Sequence, residues 1–436
     1  MLYNARKCLA GCALALSLLF LPNGATASGG SDTILYAFTD GAGPTNSAFD
    51  AAGNLYGLDG GGIVSVNCPT GCGVIYKLAP DGTKTVLYSF KGAPTDGAFP
   101  SGIVVTKNGT IFGATGSGGT KGWNIGTIFK LTPDGQETIL YSFPAPKGRA
   151  LKSPNGLFPE SGIILGHDGN FYGTTEYGGI KPPKGSNAAC GMGGCGTVFK
   201  VTPHGKHTVL YAFKGAGDGC QAYSGLTQDQ AGYLYGTTIG CGGGNYGTVY
   251  KIDPTTGIET VLHVFAEGAD GNAPTAPPVL DAAGNLYGTT TVGGNTLCGA
   301  PNPVGPGCGI IFKIATDGTY SILHTFTGVD ESVHERDQDG GVAGRPLYID
   351  GVGNLYGTTK WGGNALCNDP YGCGTVWQMT PDGTYTVLHR FGGPLTDDGW
   401  LPFTGLLLSP DGTSLVGTTY AGPGSGCCGA VYSIKK

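Results

Sequence analysis

Beyond residue 27 the chain is a succession of short runs in which apolar and polar residues alternate, cut by breaks rich in Gly, Pro, Asp and Asn. No stretch after Ala27 shows the 3.6-residue apolar period of a helix, so the runs predict strands and an all-β chain. Four kinds of run recur in fixed order. The first leads from a loop into a turn, as at residues 101–106. The second is an anchor such as Gly284-Asn285-Leu286-Tyr287-Gly288-Thr289-Thr290. The third is Gly-Thr-Val-Phe-Lys-Val at 196–201, and the fourth Thr-Val-Leu-Tyr-Ala-Phe at 208–213. β-Branched and aromatic residues dominate all four, as half-buried strands favour. Pro-Asp-Gly-Thr turns beginning at Pro80, Pro133 and Pro381 join third to fourth strands; proline presets one turn angle and glycine takes the positive one.

The central glycine of the anchor recurs at Gly57, Gly113, Gly173, Gly236, Gly288, Gly357 and Gly417, with spacings of 56, 60, 63, 52, 69 and 60 residues. Seven four-stranded repeats of this length predict a propeller. The phase of the repeat closes it into a ring. The chain opens on a fourth-type strand at 33–38 and ends on a third-type strand at 429–434 that has no successor. Pairing the N-terminal strand with the C-terminal blade completes the seventh blade and removes the exposed strand edges there. The expected fold is therefore a closed, seven-bladed, all-β propeller.

Composition changes the picture at the N-terminus. Arg6 and Lys7, the apolar run from Cys8 to Leu21 and Ala25-Thr26-Ala27 read as a signal peptide over 1–27, cleaved before Ser28. Leu9-Ala10-Gly11-Cys12 offers a competing lipobox, although the apolar region mostly follows that cysteine instead of preceding it. A single domain over 28–436 remains, 409 residues long, expected to be a secreted or periplasmic monomer with no membrane span. Removing Arg6 and Lys7 takes the formal charge from -6 to -8, and charged residues are only 12% of the chain, which argues against nucleic-acid partners.

The Asn-Leu-Tyr-Gly-Thr-Thr, Gly-Thr-Val-Phe-Lys and Val-Leu-Tyr-Ser-Phe segments resemble the GloVer-type tandem repeat of bacterial secreted proteins, over nearly the whole chain from Thr33 to Lys436. The resemblance implies a signal peptide and a propeller-like fold, and it brings no activity.

Twelve cysteines follow the leader. Cys68 with Cys72, Cys190 with Cys195, Cys298 with Cys308 and Cys367 with Cys373 each bracket a loop between second and third strands. Cys220 and Cys241 would tie two loops of the fourth repeat, and Cys427-Cys428 are adjacent in the last. An even count in an exported chain predicts disulfides. By chain entropy a five-residue loop stabilises by about 2 kcal/mol and a 22-residue loop by about 3.4 kcal/mol. Zinc at Cys367 and Cys373 lacks the clustered ligands such sites need. Cys427 and Cys428 pair either with each other or elsewhere.

Strand order puts the loops from fourth to first and from second to third strands on one face, where they are long and cysteine-stapled; function usually lives on such loops. The lead-in loops carry [Asp/Asn]-Gly-x-x-[Pro/Ala] at Asp40, Asp96, Asn155, Asp218, Asp270, Asp339 and Asp398, expected to ring the channel mouth. Converging carboxylates there would suit a hard cation, Ca²⁺ being the candidate although no cofactor is required; Asp-Gly is equally plain turn chemistry. Tyr177, Trp361 and Tyr420, with Trp123 and Trp400, are candidates for a sugar-stacking rim. The lead-in to the sixth inner strand is dense in charge, with Asp330, Glu331, His334, Glu335, Arg336 and Asp337, where His334 with Glu331 or Glu335 is a conceivable acid or metal pair. The lead-in to the third holds Lys147, Arg149 and Lys152. His263, His324 and His389 occupy the tyrosine position of outermost strands and read as structural.

No Gly-x-Ser-x-Gly elbow, His-Glu-x-x-His helix or P-loop appears. Two functions follow. One is an extracellular or periplasmic binding module for a glycan, cell-wall polymer or protein. The other is a secreted lactonase-like hydrolase or lyase using a divalent cation at the channel mouth. Catalytic and metal-ligating residues are not assigned by the sequence.

Overall fold

A computed structural model describes residues 32–39, 43–44, 47–64, 68–119, 124–146, 153–180, 190, 193–215, 217–266, 268–294, 307–328, 338–363, 372–393, 398–423 and 428–436. These residues form seven antiparallel blade sheets arranged as a seven-bladed β-propeller, with a separate two-stranded ribbon pairing Gln338–Gly341 with Trp361–Gly363. The innermost strands of blades 1 to 7 are Ser47–Phe49, Gly97–Val105, Ile163–Leu165, Thr227–Gln228, Val279–Leu280, Tyr348–Ile349 and Leu407–Leu408. The outermost are Lys84–Ser89, Glu137–Ser142, His207–Ala212, Glu259–Val264, Tyr320–Thr325 and Tyr385–Arg390, and in blade 7 the N-terminal strand Asp32–Ala37. That strand pairs antiparallel with Ala430–Lys435, Asp32 opposite Ile434 and Ala37 opposite Ala430, so the ring closes through the two ends of the chain as expected.

The anchor segment is explained residue by residue. Its asparagine and tyrosine grip the turn before it: in blade 1, Asn54 Nδ2 and Tyr56 Oη donate to Asp50 at 2.9 and 3.1 Å. Asp281 in blade 5 and Asp350 in blade 6 repeat this arrangement. The glycine lies under an aromatic ring of the third strand. A Cβ on Gly57 would fall 2.3 Å from Tyr76 Oη, on Gly173 2.6 Å from Phe199, and on Gly357 2.3 Å from Trp377. The second threonine bonds the first residue of the third strand, as Thr175 Oγ1 does Thr197 Oγ1 at 2.8 Å, so a buried polar pair is satisfied within the blade.

Blades are joined by the phenylalanine that ends each outermost strand. Phe90 of blade 1 meets Phe129 of blade 2 edge-on at 5.2 Å, and Phe213 meets Tyr250 at 5.1 Å. Phe38, at the end of the N-terminal strand, meets Tyr76 of blade 1 at 5.4 Å, which carries the same joint across the closure. These rings are almost wholly buried, and edge-on pairs add about 0.5–1.5 kcal/mol beyond the area they remove from water.

A second joint is polar and lies at the long-loop face. In every lead-in loop described, the third residue after the motif's Asp or Asn is a non-glycine residue in the left-handed region: Phe99, Phe158, Gln221, Ala273, Val342 and Leu401, with φ between 52° and 59°. Such residues cost about 1 kcal/mol or more, so something must hold them. Each donates its N–H to a carbonyl of the preceding blade: Cys72, Ile125, Cys195, Tyr246, Cys308 and Cys373, at 2.8 to 3.2 Å. Four of the six acceptors are cysteines. Cys68–Cys72, Cys190–Cys195 and Cys220–Cys241 are disulfides, and Cys308 and Cys373 are disulfide-bonded too. The staples therefore fix the carbonyls on which the next blade docks. Cys298, Cys367 and Cys427 lie outside the described residues; Cys428 is buried.

Candidate functional site

The lead-in aspartates sit at the perimeter, away from the channel. Asp96 Oδ2 accepts from Tyr88 Oη at 2.8 Å and Lys91 N at 2.9 Å, and Asp218 Oδ2 accepts from Tyr211 Oη at 2.7 Å and Lys214 N at 2.9 Å. Asn155 Nδ2 donates to Tyr141 Oη. His263, His324 and His389 stand where the tyrosines do in other blades, with Nε2 3.1, 2.7 and 3.1 Å from Asp270, Asp339 and Asp398. Each of these carboxylates or amides thus pins the outermost strand of the preceding blade. Asp40 lies outside the described residues.

The reason is distance. Each lead-in loop travels radially from the outermost strand of one blade to the innermost strand of the next, across three strand spacings of about 4.8 Å each. Extended chain covers that in four or five residues, at about 3.3 Å per residue. The Asp begins the crossing, and the residues reaching the axis are those four or five positions later. The ring of carboxylates expected at the channel mouth is therefore an outer ring of strand clamps.

A third residue completes each clamp: the first residue of the next blade's outermost strand. Tyr320 stacks on His263 at 3.7 Å and Tyr385 on His324 at 4.1 Å, both nearly parallel, and His207 stacks on Tyr141 at 4.2 Å. Glu137 and Glu259 take this place beside Tyr88 and Tyr211. Burial, then the like charge of Asp96 or Asp218, pushes both glutamates up to about 7. Burial brings His207 down to about 4. At the closure Asp32 lies 3.9 Å from His389, and with Asp398 it forms a cluster whose ligand-capable atoms are within 4.8 Å of one another. The other such cluster among the described residues, Cys190, Cys220 and Cys241, is consumed by disulfides.

The axis is lined by residues that break the repeat. Glu160 and Tyr223 occupy equivalent positions in the lead-ins of blades 3 and 4, Arg345 and Phe403 close to them in those of blades 6 and 7, Glu176 follows the second strand of blade 3, and Tyr420 lies near the end of the second strand of blade 7, Ser414–Ala421. Tyr223 lies beside Glu160 and feels its charge together with those of Glu176 and of Arg345, two blades away, a meeting that only the channel allows. Glu160 is open to solvent but walled in, and burial followed by the charge of Glu176 pushes its carboxyl up to about 7. Burial, followed by the charges of Glu160 and Glu176, takes the Tyr223 phenol up to about 12. Arg345 lies over Phe403, its guanidinium carbon 4.4 Å from the ring centre, and Phe403 meets Tyr420 at 5.5 Å. The arrangement is a band of carboxyls, phenol, guanidinium and aromatic faces across the mouth, suited to bind a polar ligand and to move a proton at Glu160.

Of the aromatic rim expected from sequence, Tyr177 joins this band through Gln221 Nε2, which donates to its hydroxyl at 3.2 Å, and Tyr420 is 45% exposed at its end. Trp361 lies beside Lys360, with the ammonium 5.4 Å from its ring. Trp400 is half-buried in the lead-in of blade 7. Trp123, the basic segment at 147–152 and the acidic segment at 330–337 lie outside the described residues. Sequence reasoning missed Glu160, Glu176, Tyr223 and Arg345. Their signal is variability: just before the inner strand the repeats disagree, while the motif around them hardly changes.

A ring of seven blades of this repeat, with the mixed channel mouth just described, defines a repeat propeller. The chain belongs to the Gloeobacter/Verrucomicrobia repeat family, whose pattern matches residues 24–182 and 184–432. A search among curated proteins finds no match. Among solved structures the chain is similar to a streptogramin B lyase, at 16% identity and a TM-score of 0.52 over 93% of this chain and 97% of that one. An oligogalacturonate lyase in complex with manganese matches at 12% identity and a TM-score of 0.50, over 93% of each chain. The extracellular domain of a hybrid two-component system of B. thetaiotaomicron matches at 9% identity and a TM-score of 0.54, over 92% of this chain and 39% of that one. At these identities the likeness is one of fold.

Proposed function

We propose that the protein is a secreted or periplasmic binding module that takes a glycan, a cell-wall polymer or a protein segment at the channel mouth. The carrying observation is the band from Glu160 and Glu176 through Tyr223 and Arg345 to Phe403 and Tyr420. It combines aromatic faces with hydrogen-bonding and charged groups, the mixture that rigid binding sites use for polar ligands. The disulfides suit an oxidising compartment, and no helix of the described residues is long and apolar enough to cross a membrane. A glycan and cell-wall polymer array probed with residues 28–436 tests the reading. Tyr223→Ala should weaken a hit at least about tenfold, as truncation of a central aromatic does. Neutralising Asp81, Asp134 and Asp382 on the opposite face should leave it unchanged. Equal effects from both sets of changes would place binding elsewhere.

One observation favours a second reading, a hydrolase or lyase: Glu160 titrates near 7 beside Glu176, as a general acid or base would. The two carboxyls are also the channel's own candidates for the divalent cation of that reading. Turnover on a lactone and polysaccharide panel, increased by Ca²⁺ and lost in Glu160→Gln, would establish the enzyme in place of the non-catalytic module.

A further inference from the structure

Arg345 has no basic counterpart at the equivalent position of the other six lead-ins. It reaches the channel from the lead-in of blade 6, with its guanidinium carbon 4.4 Å above the Phe403 ring of blade 7. Among the described residues no carboxylate or carbonyl lies within ion-pair or hydrogen-bond distance of it. The Glu160 carboxyl interacts with Tyr223 and Glu176 instead. A guanidinium that is walled in, stacked on an aromatic face and left without an anion is an anion receptor awaiting its partner. Burial lowers its proton affinity, which an incoming negative charge would restore. The planar fork of arginine fits a carboxylate through two parallel N–H···O bonds.

The rest of the mouth narrows the ligand. Glu160 and Glu176 face the same space and repel a strongly anionic group such as a phosphate ester or a polyphosphate, so the anion must be confined to the Arg345 side. At neutral pH Glu160 holds its proton part of the time, and with the Tyr223 hydroxyl it offers both donors and acceptors to neutral hydroxyls. Tyr420, 45% exposed beside Phe403, offers its ring to a C–H surface. One carboxylate, several hydroxyls and an apolar ring face together describe a uronic acid residue.

We propose that the channel mouth recognises the carboxylate of an acidic saccharide, with Arg345 as the anion-binding residue and Glu160 with Tyr223 as the hydroxyl-binding pair. This rests on the binding-module reading and assigns it a ligand class. The test is calorimetric titration of residues 28–436, disulfides intact, with oligomers of guluronic and galacturonic acid, their methyl esters and neutral galactan oligomers. The acids should bind about 10- to 100-fold more tightly than their methyl esters, the range expected for a charge-assisted pair. Arg345→Gln should erase most of that preference, and Arg345→Lys should restore part of it. The acid-against-ester comparison on the unaltered chain keeps the inference testable if the variants fold poorly. Equal binding of acid and ester, or an unchanged preference in Arg345→Gln, overturns the role of Arg345. Neutral oligomers bound as tightly as acids also overturn it while leaving the binding-module reading in place. Absence of binding by every saccharide would remove the acidic-saccharide ligand together with the glycan form of that reading.

Discussion

The perimeter clamps and the channel mouth are built from the same lead-in segments, yet they use their residues in opposite ways. At the perimeter the motif repeats, and its polar groups are satisfied inside the protein: Asp96, Asp218, Asp270, Asp339 and Asp398 each accept from a strand tyrosine or meet a strand histidine, and from a backbone N–H. At the axis the motif breaks, and Glu160, Glu176, Tyr223 and Arg345 are one-off residues whose groups face shared space. In a ring of near-identical blades, what repeats holds the ring and what does not repeat is free to hold something else.

Removing residues 32–38 should have the largest effect. It strips the outermost strand from blade 7, uncovers the edge of Ala430–Lys435 and deletes Phe38 from its joint with Tyr76. Loss of the buried Phe38 side chain alone costs about 3–5 kcal/mol, so the deletion should abolish the single cooperative transition seen by thermal or urea unfolding. An unchanged melt would mean that the ring does not depend on its closure.

Next in size is a pair of substitutions that sets perimeter against axis. Asp96 is 2% exposed, and Asp96→Ala leaves the Tyr88 hydroxyl and the Lys91 amide without their acceptor. The expected loss is about 2–4 kcal/mol. Glu160→Gln, on the open channel wall, should change stability by less than about 0.5 kcal/mol at about pH 4.5, where the Glu160 carboxyl is protonated in the folded chain. Similar losses in denaturant titrations of the two variants would erase the distinction between them.

The smallest effect sharpens the comparison among the clamps themselves. Glu137 and Glu259, raised to about 7 in the folded chain from an ordinary 4.5, bind protons more tightly folded than unfolded. Their contribution is complete below about pH 4.5 and is lost as pH rises through about 7. His207, lowered from 6.5 to about 4, does the reverse: its contribution is complete above about pH 6.5 and is lost as pH falls through about 4. Glu137→Gln should therefore raise the melting temperature by about 2 °C at pH 8 and leave it nearly unchanged at pH 4.5, given that about 1 kcal/mol moves a large domain by a few degrees at most. An equal shift at both pH values would show that the carboxyl's charge is not the cause.

Much of this was legible in the residues. The anchor period, the phase offset between chain ends and the strand alternation define seven blades and their closure, because each depends on local geometry that short segments carry with them. The anchor glycine is tied to the aromatic of the third strand in the same repeat, so its recurrence announces the packing. The disulfide pairs within single loops were readable for the same reason, as Cys68–Cys72 and Cys190–Cys195 show.

Three things needed the tertiary structure. Sequence alone does not say that the motif aspartate lies a blade's width from the axis, since a loop's residues have order but no radius until the strands on either side are placed. It does not say that Cys72, Cys195, Cys308 and Cys373 present their carbonyls to the next blade, because that contact joins segments whose distance only blade packing sets. Nor does it bring Glu160 and Tyr223 toward Arg345, more than a hundred residues on in the chain and two blades beyond Tyr223, for which the ring must first close around a common channel.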